Sequence, residues 1–388
     1  MFLTWVQMIL KEMTMEKEMH KGGGRSEFRG TRPQKTEKEE RLRIGITPGE
    51  GLDFDYEILA RLFADTSAFE TALPFVYGSA KKLMEAARRI GISEANPLVQ
   101  HNIVDVKGRR VQVVEPERPE DASERDIYSI FQEVVADLKG GHLRALVSMP
   151  INEGNVRQKY PDFKNQAVSV ASAFPGNPFR MLLCENLRLS FLTTVRREDS
   201  ESYLSNQRIE QRIRDLYRTL QMDFSITTPR IAVLGMNKDL QSDRITLPGT
   251  QRIMPVVNSL FESGMPVFGP FPARAFLASQ DIRAFDAILC MYKEQMEMCI
   301  ENRRREDMCY FTASLPVIHI ETMPVAGDDL DTAFRSMFRA VCLAMDMDAA
   351  RQQNRLLTEN PLGYANYRSN RRENKDDDVS ERMLAEEQ

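Results

Sequence analysis

Between residues 43 and 365, short apolar runs alternate with segments whose apolar residues recur every three or four positions. That alternation predicts an α/β architecture. Arg43–Thr47 predicts a strand, followed by a Pro/Gly turn and a helix over Tyr56–Ala64. Ile127, Ile130, Phe131, Val134, Val135 and Leu138 share one helical face, with Ser123 and Asp126 as the start signal and Gly140-Gly141 as the stop. Leu143–Met149 then predicts a strand that empties into Pro150-Ile151-Asn152. The pattern recurs downstream. Met181–Cys184 and Leu187–Thr194 predict a hairpin, Ile209–Leu220 a long helix, and Arg230–Met236 a buried strand. A helix over Ile253–Phe261 is closed by Gly264, strands are predicted at Asp286–Tyr292 and Leu315–Ile320, and a last helix at Ala333–Met345. Chemistry in such sheets gathers at strand C-terminal ends, so the segments of interest are 48–55, 149–169, 194–199, 237–250, 293–310 and 321–330.

At 388 residues the chain exceeds one ordinary core, so two domains or one large α/β unit are expected. Hydrophobic content of 42% and charged content of 28% exclude collagenous, low-complexity and membrane-spanning classes. A net charge of −5 with no long basic stripe argues against a general grip on nucleic acid. Five cysteines without a CxxC pair read as reduced thiols in a cytoplasmic protein. Met1–Leu10 is apolar but too short to span a bilayer and lacks a cleavage site. Residues 1–42 are read as a mobile extension, 43–370 as the two-domain body, and 371–388, with Asp376-Asp377-Asp378, as a charged disordered tail.

Single motifs say little. Thr47-Pro48-Gly49-Glu50-Gly51 lacks the Lys-Ser/Thr of a phosphate loop, and Glu50 would repel an anion, so an ordinary strand-to-helix turn is expected. No GxGxxG follows a strand. The four histidines are His20, His101, His142 and His319. His319-Ile320-Glu321 puts His and Glu on one strand face, as a ligand pair or, more commonly, a satisfied buried histidine. Arg303-Arg304-Arg305 is a solvated loop or an anion contact, and Met291, Met296 and Met298 are packing residues.

Taken together the segments are collinear with a known family. Gly45-Ile46-Thr47-Pro48-Gly49-Glu50 resembles the opening motif of the 4-hydroxythreonine-4-phosphate dehydrogenase family, which works in pyridoxal phosphate biosynthesis. Pro150-Ile151-Asn152, Leu187-Arg188 with Thr193, Pro229–Leu234 with Asn237, Phe268-Gly269-Pro270, Asp286–Leu289 with Met291-Tyr292 and Gln295, Leu315-Pro316 and Asn360-Pro361-Leu362 follow in family order. The resemblance implies two α/β/α domains of the isocitrate and isopropylmalate dehydrogenase type. It also implies a cleft between them, a homodimer, and oxidative decarboxylation with NAD and a divalent metal that polarises the forming carbonyl.

The same alignment places departures on the chemistry. The family's three metal-binding histidines correspond to Val195, Asp239 and Lys293. Valine cannot ligate and a lysine ammonium opposes a dication. The substrate loop corresponds to Lys164–Val168, including Gln166 and Ala167; a family Lys that faces the phosphate corresponds to Glu301, a charge reversal, and a family Asn and Arg at substrate positions correspond to Tyr310 and His319; the Lys of "P-I-N-K" is Glu153. The expectation is a binding or regulatory protein on a retained scaffold, with no metal or NAD bound and a small-molecule ligand in the cleft. The alternative is an active metal- and NAD-dependent oxidoreductase acting on 4-phosphooxy-L-threonine or a related hydroxy acid. A third reading has Lys293, Glu301, Asp239 and His319 forming a new polar cleft with altered chemistry.

Overall fold

The computed structural model describes residues 41–50, 52–92, 102–115, 127–193, 204–236, 247–323 and 330–359. Both tails lie outside these residues, apart from the last two positions of the first, where the opening strand already begins at Leu42. The expected Ser123/Asp126 start signal lies outside them as well.

Twelve strands form one mixed sheet in the order β3-β4-β2-β1-β5-β12-β11-β6-β7-β10-β8-β9. They are β1 Leu42–Thr47, β2 Ala72–Tyr77, β3 Ile103–Val106, β4 Arg109–Val114, β5 Ala145–Ser148, β6 Phe179–Cys184, β7 Leu187–Thr193, β8 Ile231–Leu234, β9 Val267–Phe271, β10 Ala287–Tyr292, β11 Met308–Ala313 and β12 Ile318–Thr322. The helices are α1 Asp53–Ala64, α2 Ala80–Arg89, α3 Ile127–Lys139, α4 Glu153–Lys159, α5 Gln166–Ser172, α6 Asn206–Phe224, α7 Leu247–Glu262, α8 Ala273–Ala278, α9 Lys293–Ile300 and α10 Leu330–Glu359.

Strand direction divides the sheet. β4, β2, β1, β5 and β12 are mutually parallel, and so are β7, β10, β8 and β9. Between them β11 is antiparallel to both β12 and β6, and β6 is antiparallel to β7. The two parallel blocks therefore run in opposite directions, joined by an antiparallel seam. The predicted hairpin is the β6–β7 half of that seam, turning at Glu185 with φ +51°.

One face of the sheet is covered throughout by a single apolar core, to which α1, α2, α6, α7 and α10 contribute Leu59, Leu83, Ile213, Leu260 and Val341. The other face carries two separate cores. Phe131, Val134 and Leu138 of α3 pack with Leu146, Val170 and Val317 over the first block. Phe276 and Met296, from α8 and α9, pack with Leu189, Ile288 and Cys290 over the second. The space between those two cores lies over β12, β11 and β6.

Local boundaries follow familiar physics. Gly141 (φ +71°) and Gly264 (φ +86°) end α3 and α7 in the left-handed region that glycine tolerates. The predicted Leu315–Ile320 strand is shifted: Ser314, at φ +60°, turns the chain, and pairing with β5 begins only at Ile318. The last helix runs beyond the expected Met345 to Glu359, because Asp348, Arg351 and Asn354 find partners in Arg144, Asp223 and the end of α6.

Candidate functional site

β12 is a central strand whose five residues are all buried. Its alternation sends Ile318 and Ile320 into the continuous core and His319 and Glu321 to the opposite face, into the space between the two smaller cores. The His319 side chain, 0% exposed, is held on both ring nitrogens: Nδ1 lies 3.0 Å from Thr312 Oγ1 on β11, and Nε2 3.3 Å from Ser148 Oγ at the end of β5. Burial, with the nearby Arg180 guanidinium, depresses its pKa to about 3. The imidazole is therefore neutral at physiological pH, and each hydroxyl can donate or accept to suit its tautomer. This is the satisfied buried histidine. Although Glu321 Oε1 is 3.9 Å from Nε2, a neutral ring forms no ion pair with it.

Glu321 is paired instead with Arg180, which projects from β6 on the same face. The Arg180 guanidinium also stacks on the Tyr310 ring at 3.8 Å. Burial pushes the Glu321 carboxyl pKa upward; Arg180 pulls it back, and Glu153 at the start of α4 pushes it further up. Gln166, the first residue of α5, is 4% exposed and donates its amide to the Met149 carbonyl at 3.0 Å. The neighbouring Ala167 backbone N–H lies close enough to the Glu321 carboxyl to favour its charged form. Asn165 and Asn152 cap α5 and α4, and Glu50 accepts from the Asn152 N–H at 2.6 Å. The Thr47–Glu50 segment thus acts as a turn stitched to the 149–152 loop. A Cβ on Gly49 would stand 2.7 Å from the Pro150 carbonyl oxygen.

The expected positions separate into two groups. Gln166, Ala167, Tyr310 and His319 come together around Arg180 and Glu321. Lys293 and Glu301 lie at opposite ends of α9, both exposed, and no described hydrogen bond or ion pair joins them to His319. Lys293 Nζ is 3.2 Å from Glu297 Oε1, a solvated pair one helical turn away. Val195 and Asp239 lie outside the described residues, so the proposed four-residue polar cleft has no described counterpart. At Lys293, the one described position of the three that the resemblance aligns with metal ligands, an ammonium group stands where a ligand would need a lone pair. No cluster of three or more His, Cys, Asp or Glu able to hold a metal occurs among the described residues.

Other candidates resolve as structure. Arg303 pairs with Glu185, and Arg304 with Glu306 and Asp307, so that much of the basic run is held by carboxylates. Met291 and Met296 are fully buried packing residues. All five cysteines are free; burial raises the thiol pKa of Cys184 and Cys342, and of Cys309 to about 12, while contact with Cys299 and burial do the same for Cys290. Thiols held protonated are poor nucleophiles. An open pocket of about 530 Å³ between α6, α10 and the sheet lies on the other face, lined by Arg188, Phe224, Arg339 and Cys342. Sequence reasoning missed Arg180. Its signal was a lone charge in an otherwise apolar strand, Phe179–Cys184.

These features define the fold class first: a mixed α/β sheet of the kind found in solved 4-hydroxythreonine-4-phosphate dehydrogenases. A Burkholderia phymatum structure of that name superposes with a TM-score of 0.57 at 22% identity, covering 79% of this chain and 98% of its own. One from Klebsiella pneumoniae gives 0.55 at 18%, covering 78% and 99%. Residues 70–345 match the family described as pyridoxal phosphate biosynthetic protein PdxA, and the chain belongs to that family. Among curated relatives, the 4-hydroxythreonine-4-phosphate dehydrogenase of Bacteroides thetaiotaomicron is 26% identical over 349 residues, spanning 85% of this chain and 95% of the relative. That of Aquifex aeolicus is 25% identical, spanning 76% and 93%. No helix among the described residues is long and apolar enough to cross a membrane.

Proposed function

We propose that this chain keeps the PdxA scaffold as a small-molecule-binding or regulatory protein and does not carry out metal- and NAD-dependent oxidation of 4-phosphooxy-L-threonine. The observation that carries this reading is the charge state between the two smaller cores. At the position that the resemblance aligns with a family arginine, this chain has a neutral imidazole clamped by Ser148 and Thr312. The guanidinium that is present, Arg180, is already neutralised by Glu321. A phosphate dianion entering there would meet a closed ion pair and an added carboxylate, Glu153. Lys293 supplies the opposite of what a metal site needs. The working form in this reading is a cytoplasmic homodimer with two domains in residues 43–370.

A second reading, an active dehydrogenase on a related hydroxy acid, draws on the alignment across 95% of a relative bearing that name. Metal analysis of the purified protein and an absorbance assay for NADH separate the two. The expected result is no stoichiometric Zn²⁺, Mg²⁺ or Mn²⁺ and no NADH from 4-phosphooxy-L-threonine. The combined variant Val195→His, Asp239→His and Lys293→His should recover metal binding before activity, because Glu301, Tyr310 and Gln166 still misfit the substrate. Metal-dependent NADH production by the unmodified protein would overturn the proposal.

A further inference from the structure

Three buried polar atoms around Arg180 have no hydrogen-bond partner among the described residues: Glu321 Oε1, Gln166 Oε1 and Arg180 Nε. Buried polar atoms are almost always satisfied, so three orphans in one neighbourhood call for an occupant. Their proximity follows from the chain. Glu321 is registered beside Ser148, Gln166 is anchored on the next residue, Met149, and Ala167 lies against the Glu321 carboxyl. Arg180 is fixed to the same carboxylate. Residue Gln166 is 4% exposed and the Glu321 side chain 8%, whereas the Arg180 side chain is 29% exposed and Tyr310 half-buried. Access is therefore from the Arg180 side.

We propose that this site binds a neutral vicinal diol, as carried by a sugar or polyol, through Glu321, Gln166 and Arg180. The inference rests on the binding-protein reading above and names its ligand class. The three orphans are two acceptors and one donor, set in a network whose formal charges already cancel between Arg180 and Glu321. A phosphate dianion is mainly an acceptor, with at most one P–OH to donate; it would leave an oxygen unmatched and bring its charge against a carboxylate. An ammonium offers donors only; it would leave Arg180 Nε unmatched and stand beside a guanidinium. A hydroxyl both donates and accepts. One hydroxyl of a diol donates to Glu321 Oε1 while accepting from Arg180 Nε, and its neighbour donates to Gln166 Oε1. All three orphans are then satisfied without adding charge to a buried site.

The test is isothermal titration calorimetry of the full chain, without NAD or metal, against threitol, inorganic phosphate and methylammonium. Threitol should bind saturably at one per chain, and the other two should bind at least tenfold more weakly. Gln166→Met, which keeps size but removes the acceptor, should weaken threitol binding about 2–10-fold; Glu321→Gln should weaken it roughly tenfold or more, since that bond is charge-assisted. Circular dichroism and a denaturation midpoint confirm that each variant is folded. Phosphate or methylammonium binding as tightly as threitol, threitol binding unchanged in folded Gln166→Met, or no saturable heat with folded wild type each overturns the proposal; the last means that water alone fills the site. Because the NADH assay is run separately, failure of diol binding and failure of the binding-protein reading are read independently.

Discussion

Replacing His319 with glutamine isolates the acid sensitivity that this side chain gives the fold. The imidazole titrates near 6.5 in an unfolded chain and near 3 in the native one, chiefly because it is fully buried. Between those values the unfolded state binds a proton that the native state refuses, so stability is fully present above about 6.5 and falls as pH drops toward 3. At pH 5 the loss from this residue is ~2 kcal/mol, whatever the native value below about 4. The charged groups beside the ring are Arg180 from β6 and Glu321 from its own strand. Glu321 runs the other way: its raised pKa favours the native state as pH falls through it. Those terms are common to wild type and His319→Gln, whose amide can still bond Ser148 and Thr312 but cannot titrate. Urea unfolding at pH 7 and pH 5 should therefore show wild type losing ~2 kcal/mol more than the variant, a midpoint difference of ~0.7 M at a slope of ~3 kcal/mol/M. Equal pH dependence of the two proteins would mean that the native imidazole accepts a proton, and would refute the clamped, neutral ring.

Gln295 is fully buried, accepts from the Met291 and Tyr292 N–H groups at 2.8 and 3.4 Å and donates to the Gly235 carbonyl at 2.8 Å. Gln295→Leu should cost ~2–4 kcal/mol in denaturant unfolding, and a loss under ~1 kcal/mol would show that these groups find other partners. Gly269 has φ +130°, and a Cβ there would lie 2.4 Å from the Val233 carbonyl oxygen, so Gly269→Ala should cost at least ~2 kcal/mol. Gly91, at φ +70° with open space around it, should lose only ~1 kcal/mol as alanine. Equal thermal stability of these two alanine variants would refute the steric part of the argument.

Much of the body was legible because buried parallel strands and amphipathic helices leave strong period signals. β1, β5, β8 and β10 and helices α3, α6 and α7 fall where the apolar pattern put them. β3 and β4 were not seen: Ile103–Val106 and Arg109–Val114 are short and interrupted by charge, and their pairing depends on the turn at Lys107-Gly108. Met308–Ala313 reads as an indistinct apolar stretch, and only its position between β12 and β6 makes it a strand. The resemblance pointed to Gln166, Ala167, Tyr310 and His319, which lie around Arg180 and Glu321, yet it could not foresee that Arg180 reaches Glu321 across β11, since 141 residues separate them in the chain. Local pattern carries burial; it does not carry which strands become neighbours.

That the chain crosses its own seam has a consequence for the order of folding. β6 through β11 form a continuous stretch of sequence, residues 179–313, with the second parallel block inside it. This half can pair with itself as soon as it leaves the ribosome. The first block can pair β3, β4, β2, β1 and β5 early but cannot complete itself. β5 receives its neighbour β12 only after the whole of the other half has been made, and the Ser148–His319 contact closes across 171 residues. Until then one edge of β5 is unpaired and the shared core lacks α10. Such long-range closure is slow and leaves an open strand edge exposed to wrong partners. The polar site is thus among the last parts of the molecule to exist, assembled by the strand that completes the fold.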